Sequence, residues 1–137
     1  MKKLLCSLFA LSAISTAMAQ EVNIKILGTS DIHGRVVPWS YGADVEDKSG
    51  SYAQIATYVK DVRKNNKNVV LVDVGDAIQD NQVDVFAKDK KYYKDHPIPK
   101  VLNEMKYDVF VLGNHEFNFG MEALDEILKD IKAKKLT

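Results

Sequence analysis

The sequence predicts an α/β fold built on a parallel sheet, and three observations carry that expectation. Three short apolar runs are separated by stretches with helical periodicity, the connections are long enough for parallel crossovers, and each apolar run ends in a cluster of polar side chains. Val22 to Leu27 alternates as a first strand. A polar, glycine-bearing loop occupies Gly28 to Gly50. Ser51 and Gln54 form a capping box for a helix with Ile55, Val59 and Val62 on one face, ended by Asn65-Asn66. Val69 to Val72 is a continuous apolar run, expected as a strand buried on both faces. Lys88 to Pro99 is charged and proline-bearing and reads as an exposed excursion. A helix over Ile98 to Met105 is entered through Pro97 and Pro99. Val109 to Leu112 is the third strand, and a last helix from Met121 aligns Leu124, Ile127 or Leu128, and Ile131. The lysines between 129 and 135 are expected in the C-terminal half of that helix. The predicted order is β-α-β-α-β-α.

Residues 1–19 read as an export signal rather than as part of this fold. Lys2 and Lys3 precede a short apolar run from Leu4 to Ile14, and Ala17-Met18-Ala19 gives the small-x-small pattern before a cleavage at Gln20. The run is too short for a retained spanning helix, so no membrane association is expected after cleavage and the location is periplasmic or extracellular. Cleavage removes Cys6, the one cysteine, so the mature chain carries neither disulfides nor thiol chemistry. It also removes two lysines, leaving 17 basic against 19 acidic side chains, a net charge of about −2. That balance excludes a polybasic surface for a nucleic-acid polymer. The remaining 118 residues suffice for one small domain or part of a larger one.

The functional signal lies in the loops that leave the strands. The first strand runs into Thr29-Ser30-Asp31-Ile32-His33, the second into Asp73-Val74-Gly75-Asp76, and the third into Gly113-Asn114-His115-Glu116. Ligand sites in open α/β sheets form beyond the carboxyl ends of the strands. If the chain stays extended, Asp31 and His33 point to one side and their carboxylate and imidazole can chelate one zinc, manganese or iron ion. Asp76 is preceded by a glycine that permits a sharp turn, and its two oxygens can bridge a pair of cations. Asn114 offers a neutral carbonyl oxygen, and His115 a proton or hydrogen bond for a phosphoryl oxygen. Alone, an Asp-x-His or a Gly-Asp is more often a surface pair or an ordinary turn; the repetition at three strand ends is the signal.

These motifs, in this order, resemble the opening of the calcineurin-like metallophosphatases, and within them the exported 5′-nucleotidase family with its bifunctional 2′,3′-cyclic-nucleotide 2′-phosphodiesterase/3′-nucleotidases. The resemblance extends through His96-Pro97-Ile98 and Lys106-Tyr107-Asp108. It implies a metallophosphatase sandwich of which residues 20–137 are the N-terminal, incomplete portion. It also implies two divalent cations, with Asp31 and His33 on the first, Asp76 bridging, Asn114 on the second, and His115 as the catalytic residue. The implied reaction is hydrolysis of a small nucleotide phosphoester by a metal-bound hydroxide, without a covalent intermediate. The family supplies further histidine ligands from later strands, so this segment alone is not expected to turn over substrate. Two positions depart from the pattern. Asn118 stands where 5′-nucleotidases commonly carry an aspartate paired with the histidine, and Glu116-Phe117-Asn118-Phe119-Gly120 looks more like the cyclic phosphodiesterase branch. Asp80 stands where the family often has glycine. The competing readings are a 5′-nucleotidase, a hydrolase of nucleotide-sugar pyrophosphates or sulfur esters, and a non-catalytic fragment. His96 is expected as a surface or helix-entry residue, Asp73 as a supporting acceptor or a solvated strand end, and Arg35 as solvated. Trp39, Tyr41 and Tyr52 are expected in core or loop packing rather than stacked on a base.

Overall fold

The computed structural model describes residues 21–137, so the expected export signal lies outside the described residues. The described residues form six strands: β1 (Lys25–Thr29), β2 (Trp39–Ser40), β3 (Val45–Glu46), β4 (Val69–Asp73), β5 (Val109–Val111) and β6 (Lys134–Leu136). Four helices join them: α1 (Tyr52–Asn65), α2 (Asp84–Lys88), α3 (Pro97–Glu104) and α4 (Met121–Lys129). The main sheet has the order β1-β4-β5-β6, every neighbouring pair parallel, and β2 and β3 form a small antiparallel ribbon. The fold is mixed α/β, as the sequence predicts. None of these helices is long and apolar enough to cross a membrane.

The capping box forms: Ser51 Oγ accepts from Gln54 N and starts α1, and Asn66 closes it. Leu71 and Phe110, fully buried on the covered face of the sheet, meet Tyr52, Val59, Ile98, Leu102, Leu124 and Ile127 from α1, α3 and α4 in one core. The opposite face is different. Ile26 is 73% exposed, and Val70, Val72, Val109 and Val111 are only partly buried, so β4 is covered on one face rather than on both. A purely apolar run therefore overstates the burial that this chain supplies by itself.

Further expectations are corrected or refined. β1 begins at Lys25 rather than Val22, because its limits are set by pairing with β4, Lys25 against Val69 through Thr29 against Asp73. The excursion from Lys88 starts at the end of α2, is exposed over most of its first eight residues as expected, and contains a 3-10 turn over Lys90–Asp95. The last helix stops at Lys129, and a strand, β6, comes next where the sequence pattern continues as helix. Asn103 of α3 makes that stop: its Nδ2 donates to Asp130 O (2.6 Å) and its Oδ1 accepts from Lys132 N (2.8 Å), turning the chain back to the sheet. Lys135 then reaches back from β6 and donates to Ile131 O (2.7 Å), just past the end of α4.

His96 enters α3 as its N-cap, with Nδ1 accepting from Ile98 N (3.3 Å), but it is 1% exposed rather than at the surface. Burial pushes its imidazole down to about 4, with the Ile78 backbone and the Asp84 carboxylate acting the other way. The unfolded chain therefore binds a proton that the folded chain refuses. The neutral ring's contribution is full above pH 6.5 and is lost as pH falls from there toward 4, a total of about 3 kcal/mol. His96→Asn keeps a capping acceptor without the titration. Urea unfolding of the wild type is expected to weaken steeply over that window, and the variant's stability to stay nearly level; parallel curves would refute this origin of acid sensitivity.

Candidate metal and phosphoester site

Three loops leave the carboxyl ends of β1, β4 and β5, and backbone hydrogen bonds sew the first two together. Val74 N donates to Thr29 O, Asp31 N to Gly75 O, His33 N to Asp76 O, and Gly34 N to Ala77 O, at 2.9 to 3.1 Å. The β1–β4 pairing thus continues past the sheet and sets Asp31 and His33 against Asp76. A ligand atom from each of these three residues lies within 4.8 Å of the others. The route differs from the extended geometry expected from their spacing. Asp31 (φ 55°) and His33 (φ 49°) are both left-handed, so their convergence comes from a tight turn and not from strand alternation.

The second and third loops are joined by a residue read in the sequence only as part of a motif. Glu116, fully buried, accepts at 2.7 Å from Asp76 N and Gly113 N through Oε2 and from Ala77 N through Oε1. Ile78 N also donates to Oε1, at 3.4 Å. Asp76, 9% exposed, in turn accepts from His115 N (2.8 Å) through Oδ1. The loops are so close that a Cβ on Gly75 would stand 2.2 Å from Gly113 N, and one on Gly113 would stand 2.3 Å from Asp76 Oδ1. Asn114 lies between these contacts, at an exposed position that opens a 3-10 turn over His115–Phe117. No sequence signal distinguishes a glutamate that binds four backbone amides from one in solvent.

Asp73 is fully buried, not a solvated strand end. Its Oδ1 accepts from Gly75 N (3.0 Å) and its Oδ2 from Thr29 Oγ1 (2.6 Å) and Tyr52 Oη (3.3 Å). Burial raises its carboxyl, against those three hydrogen bonds, and burial also raises Tyr52 well above its ordinary value and Tyr107 to about 12. Tyr52 therefore belongs to the core. Trp39 and Tyr41 are exposed and line a shallow cleft of about 250 Å³ beside Gly34, Asn81 and Gln82. Arg35 is not free in solvent: it pairs with Asp47 (3.3 Å) and donates to Ser49 Oγ and Gly50 O.

His115 sits against His33, with ring centroids 5.3 Å apart at 71°. Its tautomer is set by a chain of amides. A carboxylate only accepts, so Gln79 turns Nε2 to Asp80 Oδ1 (3.0 Å) and leaves Oε1 for Asn118 Nδ2 (2.6 Å). The other Nδ2 hydrogen of Asn118 then faces His115 Nδ1 at 2.9 Å, while Gln79 Oε1 lies farther from the same nitrogen, at 3.3 Å; the closer amide assigns Nδ1 as the acceptor and the ring proton to Nε2. Asn118 thus meets this histidine as a donor, where the aspartate expected at that position from the family resemblance would accept.

The donor set suits a divalent cation: two carboxylates and an imidazole at one point, with His33 Nε2 facing Asp31 Oδ1 at 3.9 Å. A parallel sheet with acid and histidine side chains gathered past its strand ends is an arrangement on which metal-assisted hydrolysis can be built. Residues 24–135 match the calcineurin-like phosphoesterase family, and the chain belongs to that family. It is 37% identical over 131 residues to the 2′,3′-cyclic-nucleotide 2′-phosphodiesterase/3′-nucleotidase of Haemophilus influenzae, covering 92% of this chain and 20% of that protein. It is 33% identical to human 5′-nucleotidase over 91% of this chain and 22% of the other. The crystal structure of the calcineurin-like phosphoesterase YfkN from Bacillus subtilis superposes with a TM-score of 0.75 at 38% identity, covering 82% of this chain and 36% of that one. The chain thus spans about a fifth of the length of such curated relatives.

Glu116→Gln replaces an acceptor of four amides with a group that has one oxygen and two hydrogens to direct at the same donors. A loss of about 3 kcal/mol is expected, the scale of a broken charged hydrogen bond plus an unsatisfied buried amide. Chemical denaturation checks it; a change under about 1 kcal/mol would mean that the clamp contributes little.

Proposed function

We propose that this chain contributes the N-terminal part of the active site of an exported phosphoesterase that hydrolyses small nucleotides, with 2′,3′-cyclic nucleotides or 3′-nucleotides preferred. The observation that carries the reading is the convergence of Asp31, His33 and Asp76 within 4.8 Å, against an imidazole whose Nε2 bears the proton. In this reading Asp31 and His33 hold one divalent cation (zinc, manganese or similar), Asp76 is shared with a second, and Asn114 serves the second. Two such cations would supply Lewis-acid activation of water and a clamp on the phosphoryl oxygens. The chain's own residues do the rest. Asp76 is held by His115 N through one oxygen, which leaves the other available. His115, with Nε2–H, donates to a phosphoryl oxygen or to the leaving oxygen. Asn118 keeps it in that form by occupying Nδ1 with an N–H.

The preference for cyclic or 3′-nucleotides rests on Asn118. An aspartate there would accept from Nδ1–H and orient the ring in the other tautomer. Relatives of both kinds are similar to this chain over most of its length, which keeps 5′-nucleotidase activity as the second reading. The whole enzyme is expected to show higher kcat/KM on 2′,3′-cyclic AMP than on 5′-AMP, and a higher value on 5′-AMP would overturn the preference.

The second cation has only Asp76 and Asn114 in these motifs, fewer than the three protein ligands that catalytic zinc sites usually keep. Residues 20–137 expressed alone with zinc or manganese are therefore expected to leave bis-p-nitrophenyl phosphate unhydrolysed. Chelator-sensitive turnover by this segment would show that its ligand set is complete without later strands.

A further inference from the structure

Asp80 lies four residues past Asp76, in the left-handed region at φ 75°. That backbone conformation is natural for glycine and tolerated by aspartate, and it turns the Asp80 carboxylate back toward the first loop. Asp80 Oδ2 stands 3.1 Å from His33 Nδ1. The contact is off the line of the ring N–H, so it is an ion-pair approach and not a regular hydrogen bond; His33 Nδ1 is buried and has no other partner among the described residues. The other Asp80 oxygen accepts from Gln79 Nε2 (3.0 Å), which begins the amide chain through Asn118 to His115. Asp80 N is anchored separately by Asp84 Oδ1 (2.8 Å).

We propose that Asp80 is a positioning residue for both imidazoles: one oxygen holds the His33 proton on Nδ1, and the other, through Gln79 and Asn118, holds the His115 proton on Nε2. The two rings are then set in opposite senses. His33 presents a bare Nε2 lone pair on its Asp31 side, as a cation ligand must, while His115 presents Nε2–H, as a phosphoryl donor must. A carboxylate behind a ligating histidine fixes the tautomer and strengthens the ligand, and removing such a partner typically costs about 10–100-fold in metal affinity. Here a single carboxylate serves a ligand and a proton donor at once. This inference rests on the proposed role of His33 as a cation ligand.

The test is Asp80→Gly in the whole protein. Glycine suits φ 75° and keeps the backbone N–H to Asp84, so lost function cannot be assigned to backbone strain. Calorimetric titration with Mn²⁺ is expected to show affinity lowered about 10–100-fold. Nitrogen-15 imidazole spectra of the metal-free protein are expected to give His33 as the Nδ1–H form and His115 as the Nε2–H form in the wild type, with both preferences weakened in the variant. Asp80→Asn, also at home at positive φ, has one acceptor for two donors and is expected to fall between. His33→Asn is the control on the underlying reading. If it leaves Mn²⁺ affinity unchanged, the cation site is wrong. If it weakens binding while both Asp80 variants keep wild-type affinity and tautomers, the positioning role alone is overturned.

Discussion

The site depends on one buried carboxylate that is not itself a candidate ligand. Glu116 gathers Asp76 N, Ala77 N, Ile78 N and Gly113 N onto its two oxygens and so binds the loop after β4 to the loop after β5. Four amides that would otherwise be orphaned in the interior are satisfied by a charge that would itself be costly to bury unpaired. The close approach of Gly75 to Gly113 results from this clamp and from the absence of side chains at both positions. Asp76 and His115 are then neighbours by construction, and β1 needs only its backbone to bring Asp31 and His33 to the same place.

The cost of this arrangement is local conformational strain, and it is concentrated where the chemistry is. Asp31, His33, Asp76 and Asp80 all adopt positive φ, and among the described residues only Asp44 and Lys106 join them as non-glycine cases. Such residues each cost on the order of 1–3 kcal/mol and persist where their surroundings over-determine them. Here the surroundings are the backbone hydrogen bonds between the loops and the carboxylates of Glu116 and Asp73. Aspartate tolerates the conformation, and three of the four site positions are aspartates. His33 does not gain that tolerance, so its placement depends on the bonds around it.

The sheet reports a second constraint. Helices cover the face that carries Leu71 and Phe110, while Ile26 and the partly buried valines of β4 and β5 lie on the other. The ligand set and the sheet are thus both one-sided: the candidate site draws on three strand ends, and the apolar surface of those strands is only half used.

Much of this is legible in residues alone. Apolar runs and capping signals locate β4, β5, α1 and α3, and the polar clusters after the strands name Asp31, His33, Asp76, Asn114 and His115, because the carboxyl ends of parallel strands open onto the ligand crevice. The turn from α4 into β6 is not legible, since it depends on Asn103, 27 and 29 residues away, and a lysine-rich segment carries no record of that contact. The left-handed turn that joins Asp31 to His33 is hidden for the same reason: spacing describes an isolated chain, and the turn exists only against Gly75, Asp76 and Ala77. Glu116, Gln79 and Asp80 complete the case. Sequence determined which groups could bind a cation or move a proton; tertiary structure decided which of them meet and which neighbours face each ring nitrogen, because those neighbours are supplied only by folding.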